Sequence, residues 1–304
     1  FKGTRGFHVP AQLTVSPRST NFTARHPHCY WHSGAAWALQ FYYDYFQYTG
    51  DKEFLAERAY PLMKEAAEFY EDFLIKTDKN DKLNFVPSYS PENFPNKGVS
   101  PVSMNATIDI SAAKQLLTNL INASKILNRD EDLREKWSSI ISNLPDYEVG
   151  PDGSFREWLW PELNENHEHR HASQLYALYD EQPAEIVNNP ELVKAVEYTI
   201  HQRFEHHKER PVMAFGLVQL GLAAAHIGNE ELTQDIINFL SNGYWTTGMG
   251  SFHNRDNLFN TDISGGFPYL CASSLVYADP GHIRFFPALP EQWKSGSIKG
   301  LLLR

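Results

Sequence analysis

The chain has 304 residues, 42% hydrophobic and 21% charged, the make-up of a globular protein with a large core, which excludes disorder and collagen-like structure. Lys and Arg number 27 against 37 Asp and Glu, and the formal net charge of −10 argues against nucleic acid or an anionic membrane as partner. Aromatic residues make up 13% (7 Trp, 15 Tyr, 19 Phe), a density that suits stacking on sugar faces and equally the filling of a large core.

Read in chain order, apolar spacing is helical almost throughout. Residues 35–48 are aromatic-rich and predict a helix buried on most sides. After the Gly50-Asp51 break, Leu55, Ala59, Leu62, Ala66, Phe69 and Phe73 recur at helical intervals, giving an amphipathic helix. Ala113, Leu116, Leu120, Ala123 and Leu127 predict another, and Leu133, Trp137, Ile140 and Leu144 a shorter one. Asn189-Pro190 is an N-cap followed by proline at the first helical position, opening a helix to Phe204. Further helices fit 212–227, 230–240 and 265–276, with little strand signal before 283. From Ile283 the pattern turns to Ile283-Arg284-Phe285-Phe286-Pro287 and short polar turns, the entry to a β-rich segment.

Serial helices of this kind fit a bundle, an α-solenoid or an α/α toroid. No fixed repeat period supports the solenoid. Long loops carrying Trp, His, Arg, Asp and Glu favour the toroid, which builds its site on such loops. The organisation expected is therefore all-α, with a helical toroid over 1–282 and the start of a β-rich segment over 283–304. Two cysteines, Cys29 and Cys271, make no disulfide framework. The longest apolar run, 214–225, contains Gln219 and is too short to span a bilayer. The chain opens at Phe1 without an initiating methionine and stops at Arg304, so it reads as a piece of a longer protein whose compartment stays open.

Four loops carry the chemistry. In Tyr30-Trp31-His32-Ser33-Gly34-Ala35-Ala36-Trp37, Trp31 is either a sugar-stacking platform or a core ring. In Pro87-Ser88-Tyr89-Ser90-Pro91-Glu92-Asn93, two prolines hold Glu92 in place as a general acid requires; the alternative is a surface carboxylate. The third loop joins Phe155-Arg156-Glu157-Trp158 to His167-Glu168-His169-Arg170-His171-Ala172-Ser173. Its alternating histidines suggest a metal, but Arg170 among them would repel a divalent cation, leaving a sugar-contacting cluster or a solvated loop. In Asn260-Thr261-Asp262-Ile263, a carboxylate at a helix N-terminus is kept ionised as a general base needs, or it simply caps the helix. Two carboxylates on separate loops above one toroid are what an inverting glycosidase requires, with carboxyls roughly 6.5–9.5 Å apart to admit a water.

These segments, in this order, resemble glycoside hydrolase family 95, the inverting α-L-fucosidases that include α-L-galactosidases. The likeness runs through Tyr30-Trp31, Gly34-Ala35-Ala36-Trp37, Thr49-Gly50-Asp51, Ala59-Tyr60-Pro61-Leu62-Met63-Lys64-Glu65-Ala66-Ala67, Pro87-Ser88, Ser90-Pro91-Glu92-Asn93, Thr107, Asp109, Glu157-Trp158, His169-Arg170-His171, Ser173, Leu178-Tyr179 and Pro287-Ala288-Leu289-Pro290 with Trp293. The resemblance implies an (α/α)6 toroid whose mouth binds a terminal L-sugar. Glu92 matches the general acid, with Glu157 as second candidate, and Asp262 matches the general base. Arg170 and His171, with His169, bind the sugar; Trp31 is the platform, joined by Trp158. No metal and no cofactor are expected. The substrate is an oligosaccharide or a polysaccharide side chain, and that substrate class alone suggests a secreted or periplasmic setting.

In this family two asparagines of an Asn-x-Asn motif assist the base, and that motif falls upstream of Phe1. A complete toroid also needs more helices than the sequence supplies, which implies an N-terminal portion. Three places depart from the family pattern: Asp262 is followed by Ile263-Ser264-Gly265-Gly266 in place of Gly-Asn-Phe-Gly, Pro211-Val212 replaces Trp-Ser, and His26-Pro27-His28 differs from an Asn-Thr-Asp-rich loop. The leading expectation is an inverting exo-glycosidase for terminal α-L-fucosyl or α-L-galactosyl residues. The others are a non-catalytic carbohydrate-binding toroid and a different toroid enzyme, an α-L-rhamnosidase or a sugar phosphorylase. For the phosphorylase, Arg170 is the one obvious basic contributor to a phosphate pocket.

Overall fold

The computed structural model describes residues 3–12, 23–76, 82–95, 100–211 and 213–304. Among the described residues helices dominate, joined by three two-stranded antiparallel pairs, so the class is all-α and consistent with the toroid that the resemblance implies. The chain divides into two compact units: Phe1–Tyr147 with Glu157–Glu165 and Arg304, and Glu148–Arg156 with Asn166–Leu303. Among the described residues no helix is long and apolar enough to cross a membrane.

In the first unit the Gly34–Thr49 helix ends at Gly50, whose φ of 69° is the left-handed conformation that a residue without Cβ adopts freely. Asp51 then caps the next helical run, accepting from Phe54 N–H at 2.9 Å. That run passes through Lys52–Phe54 and a π turn, Leu55–Ala59, into Tyr60–Phe73. The expectation that 35–48 is buried on most sides is corrected. Ala35, Ala36, Leu39 and Tyr43 face the core, whereas Phe41, Tyr42 and Tyr45 are exposed on the other face, where Tyr42 and Tyr45 pack on the ring of Phe54. Aromatic density here builds a satellite cluster as well as core. The third helix, Thr107–Leu127, starts six residues before the apolar repeat at Ala113, and its first turn carries the buried Asp109. Arg134–Asn143 follows as expected, with Trp137 and Ile140 buried.

The second unit centres on Ala214–Ile227, which packs against Pro190–Glu209, Glu230–Ser241 and Asp262–Leu275. Val212, where that helix was expected to open, lies outside the described residues. Close packing needs the glycine at 221, because a Cβ there would sit 2.5 Å from Leu270 and 3.1 Å from Ile236. Asn189 and Asn229 cap their helices, accepting from Leu192 N–H at 3.4 Å and Leu232 N–H at 3.0 Å. The strand signal read at 283 is the second arm of a hairpin. Val276–Asp279 leaves the last helix as a strand and pairs with His282–Phe285, and no strand follows Phe285 among the described residues. Short pairs at Ile75–Lys76 with Leu83–Asn84, and at Phe252–Asn254 with Asn257–Phe259, carry too few residues to show a period in the sequence.

Candidate active site

In the first unit one helix start organises two of the four loops. Asp109, fully buried in the first turn of Thr107–Leu127, accepts at Oδ1 from Ser33 Oγ (2.6 Å) and His32 N–H (3.0 Å), and at Oδ2 from Ser88 Oγ (2.6 Å). Burial pushes its carboxyl up to about 7, although these donors pull the other way. His32 Nε2 meets the Pro87 carbonyl at 2.9 Å, its ring packed on Phe73, and burial lowers it to about 3, a neutral imidazole. Ser88 and Ser103 exchange backbone hydrogen bonds at 2.8 Å. The loop that carries Glu92 is therefore pinned at its root from several sides.

Glu92 sits in a tight turn closed by Asn93 N–H to the Ser90 carbonyl at 2.8 Å. Its carboxyl is part-exposed and lies 3.6 Å from His28 Nε2. Glu157 is in the same unit and is buried. Its Oε1 accepts from Ser90 Oγ and its Oε2 from Asn93 Nδ2, both at 2.7 Å. The structure thus brings the two candidate acids to one loop, one carried on it and one beneath it. Trp31 is 7% exposed and stands edge-on to Trp37 with centroids 5.6 Å apart, while Trp158 is fully buried and bridges to Ala106. Both rings are packed within this unit.

In the second unit His169, Arg170 and His171 are half-buried, with the two imidazoles 5.1 Å apart. Burial and the neighbouring His171, Arg203 and Arg170 push His169 down to about 2, so its ring is neutral. His167 turns instead to Asp152, at 2.9 Å. Among the described residues no three His, Cys, Asp or Glu side chains are grouped as metal ligands. Two residues that sequence reading passed over set this segment. Arg203, buried in Pro190–Glu209, donates from Nη1 to the His169 carbonyl at 2.9 Å and the His171 carbonyl at 2.6 Å. Gly216 lets its helix meet the Arg170 carbonyl, which a Cβ would approach to 2.0 Å. The sequence did carry a signal for Arg203: it shares a helical stripe with Val196, Thr199, Ile200, Phe204 and His207, all buried.

Asp262 opens the last helix with an exposed carboxyl. The helix's Ile263 N–H is taken by Asn260 Oδ1 at 3.1 Å, which frees Asp262 from the capping role. Asn260 is itself fixed by Ser251, whose hydroxyl donates to its carbonyl and whose own carbonyl accepts from its N–H at 3.1 Å. With Oδ1 committed, its Nδ2 points to Asp262 Oδ2 at 2.9 Å and to His253 Nδ1 at 3.2 Å. A carboxylate at a helix N-terminus, oriented by one amide and open to solvent, is suited to accept a proton.

The profile of the Glycosyl hydrolase family 95 catalytic domain matches residues 1–267. Alpha-L-fucosidase 2 of Arabidopsis thaliana is 31% identical over 287 residues, 90% of this chain and 33% of that protein. Probable alpha-fucosidase A of Aspergillus niger is 25% identical over 297 residues, 88% of this chain and 36% of that protein. The chain thus spans about a third of the length of these curated relatives. A solved chain described as a novel alpha-amylase from Clostridium perfringens is similar at 14% identity and a TM-score of 0.30, over 83% of this chain and 89% of that one, a likeness too weak to argue from. On the match that covers most of its length, the chain belongs to glycosyl hydrolase family 95.

Proposed function

We propose that the protein is an inverting exo-glycoside hydrolase that removes a terminal α-L-fucosyl, or α-L-galactosyl, residue from an oligosaccharide or polysaccharide side chain. Glu92 is the general acid that protonates the leaving oxygen. Asp262 is the general base that draws a proton from water as it attacks the anomeric carbon from the opposite face. Arg170, His171 and His169 bind the sugar, with a neutral His169 acting through hydrogen bonds and not charge. The observation that carries the reading is the family match over both carboxylate loops, and two relatives named as fucosidases support it. The way Asn260 leaves Asp262 exposed and oriented supports the role of base.

The test is hydrolysis of an aryl α-L-fucoside and of 2′-fucosyl-oligosaccharides by the full chain and by Asp262→Asn, beside calorimetric binding of L-fucose. Asp262→Asn should lose roughly 10²–10⁴-fold in rate, because its amide cannot take the proton, and should still bind the sugar. Wild type that binds L-fucose and hydrolyses nothing would overturn the reading in favour of a binding protein. Retention of configuration in the first-formed product would overturn the mechanism.

A further inference from the structure

The two residues flanking Glu92 hang from a single buried carboxylate. Ser90 Oγ, two residues before it, donates to Glu157 Oε1, and Asn93 Nδ2, one residue after it, donates to Glu157 Oε2, both at 2.7 Å. Ser90, Asn93 and Glu157 are buried, whereas the Glu92 side chain between them is 29% exposed. Glu157 is itself fixed by its backbone: its N–H donates to Glu165 Oε1 at 2.9 Å, and its carbonyl accepts from Thr107 N–H at 2.9 Å, at the start of the helix that carries Asp109. The carboxylate is therefore part of a frame, and the turn is clipped to it at two points.

From this we infer that Glu157 is the positioning residue for Glu92, and that it holds the acid's turn without delivering a proton itself. The inference rests on the reading of Glu92 as general acid. A delivering acid must present a protonated oxygen to the leaving group. Asn93's amide can only donate to Oε2, so a transferable proton on Glu157 would have to sit on Oε1, the oxygen that meets Ser90 Oγ. Glu92, on the same turn, keeps a part-exposed carboxyl. Two short hydrogen bonds to one buried partner restrict the turn at both of its ends, which fixes where the Glu92 oxygens can reach.

The experiment compares leaving groups. The full chain, Glu92→Gln, Glu157→Gln and the double variant are assayed on a 2,4-dinitrophenyl α-L-fucoside, whose departure needs little protonation, and on a 2′-fucosyl-oligosaccharide, whose departure needs much. Glu92→Gln should lose roughly 10²–10⁴-fold on the oligosaccharide and far less on the dinitrophenyl substrate. Glu157→Gln should show the same selectivity at a smaller size, up to roughly 10²-fold, as expected for a misplaced acid. Adding Glu157→Gln to Glu92→Gln should cost nothing further on the oligosaccharide, because both act through one group. Ser90→Ala and Asn93→Ala, each removing one clip, should give smaller selective losses and serve if Glu157→Gln does not fold.

Equal losses on both substrates, or additive losses in the double variant, would overturn the positioning role and leave Glu157 a structural residue. A full selective loss in Glu157→Gln with Glu92→Gln unaffected would make Glu157 the acid. Wild-type hydrolysis with no leaving-group effect in either single variant would remove the acid reading itself. Absence of hydrolysis by wild type would remove the proposed function, and the inference with it.

Discussion

Ser33 Oγ donates to Asp109 Oδ1 across 2.6 Å, joining the residue before the first helix to the first turn of the third. The same carboxyl holds Ser88 on the loop that leads to Glu92, so one fully buried acid ties together three separate stretches of sequence.

That position has a consequence for stability. Burial raises Asp109 from the ordinary 3.8 to about 7. The folded protein therefore holds this proton more tightly than the unfolded chain does. Asp109's contribution to folding is complete below pH 3.8 and is lost as pH rises through about 7. Asp109→Asn keeps the shape and removes the titration. Melting temperatures of the two proteins followed from pH 5 to pH 8 should diverge, with wild type falling relative to the variant. Parallel curves would show that Asp109 does not titrate in this window.

Arg203 holds the segment proposed to bind the sugar. Its Nη1 donates to the carbonyls on either side of Arg170, and Gln174, with its amide oxygen turned to the guanidinium, accepts from Nη2 at 3.0 Å. A lysine carries the charge on a single nitrogen and loses the second, which meets Gln174. Arg203→Lys should lower unfolding stability by about 1.5–3 kcal/mol, the size of one hydrogen bond to a charged group, in urea titration. On the proposed roles, in which Arg170 and His171 bind the sugar and transfer no proton, it should also raise KM for the fucoside more than it lowers kcat. A fall confined to kcat would contradict this division.

Trp31 separates packing from recognition. Its ring is buried edge-on against Trp37, so Trp31→Ala should cost about 3–5 kcal/mol in stability, the range for removing a large aromatic from a core. Trp31→Phe should recover most of that loss, measurable by thermal melting. If L-fucose affinity falls in Trp31→Phe while the melting temperature holds, the ring is a platform. If stability and affinity fall together in Trp31→Ala alone, it serves the core.

The sequence by itself determined the helical class, most helix positions and the family. Each of these is written locally: apolar residues at helical intervals, Asn189 and Asn229 before their helices, Gly50 after one, and short blocks such as Ser90-Pro91-Glu92-Asn93 and His169-Arg170-His171. It also marked Glu92, Glu157 and Asp262 as carboxylates on loops. What it left open was the job of each polar side chain, because hydrogen-bond partners lie far apart along the chain and periodicity does not encode them. Ser33 meets Asp109, Ser90 meets Glu157, and Arg203 meets His171, each pair separated by more than thirty residues yet joined within 2.7 Å. Asn260 shows the same limit at short range. Asp262 at a helix start reads equally as cap or base, and only the folded backbone, which gives Ile263 N–H to Asn260, decided that Asp262 is not the cap. Burial separates the two acids: Glu157, equal to Glu92 as a residue type, is held in the core by the Thr107 N–H to its carbonyl and by the bridge of its neighbour Trp158 to Ala106, while Glu92 stays on a turn that meets solvent.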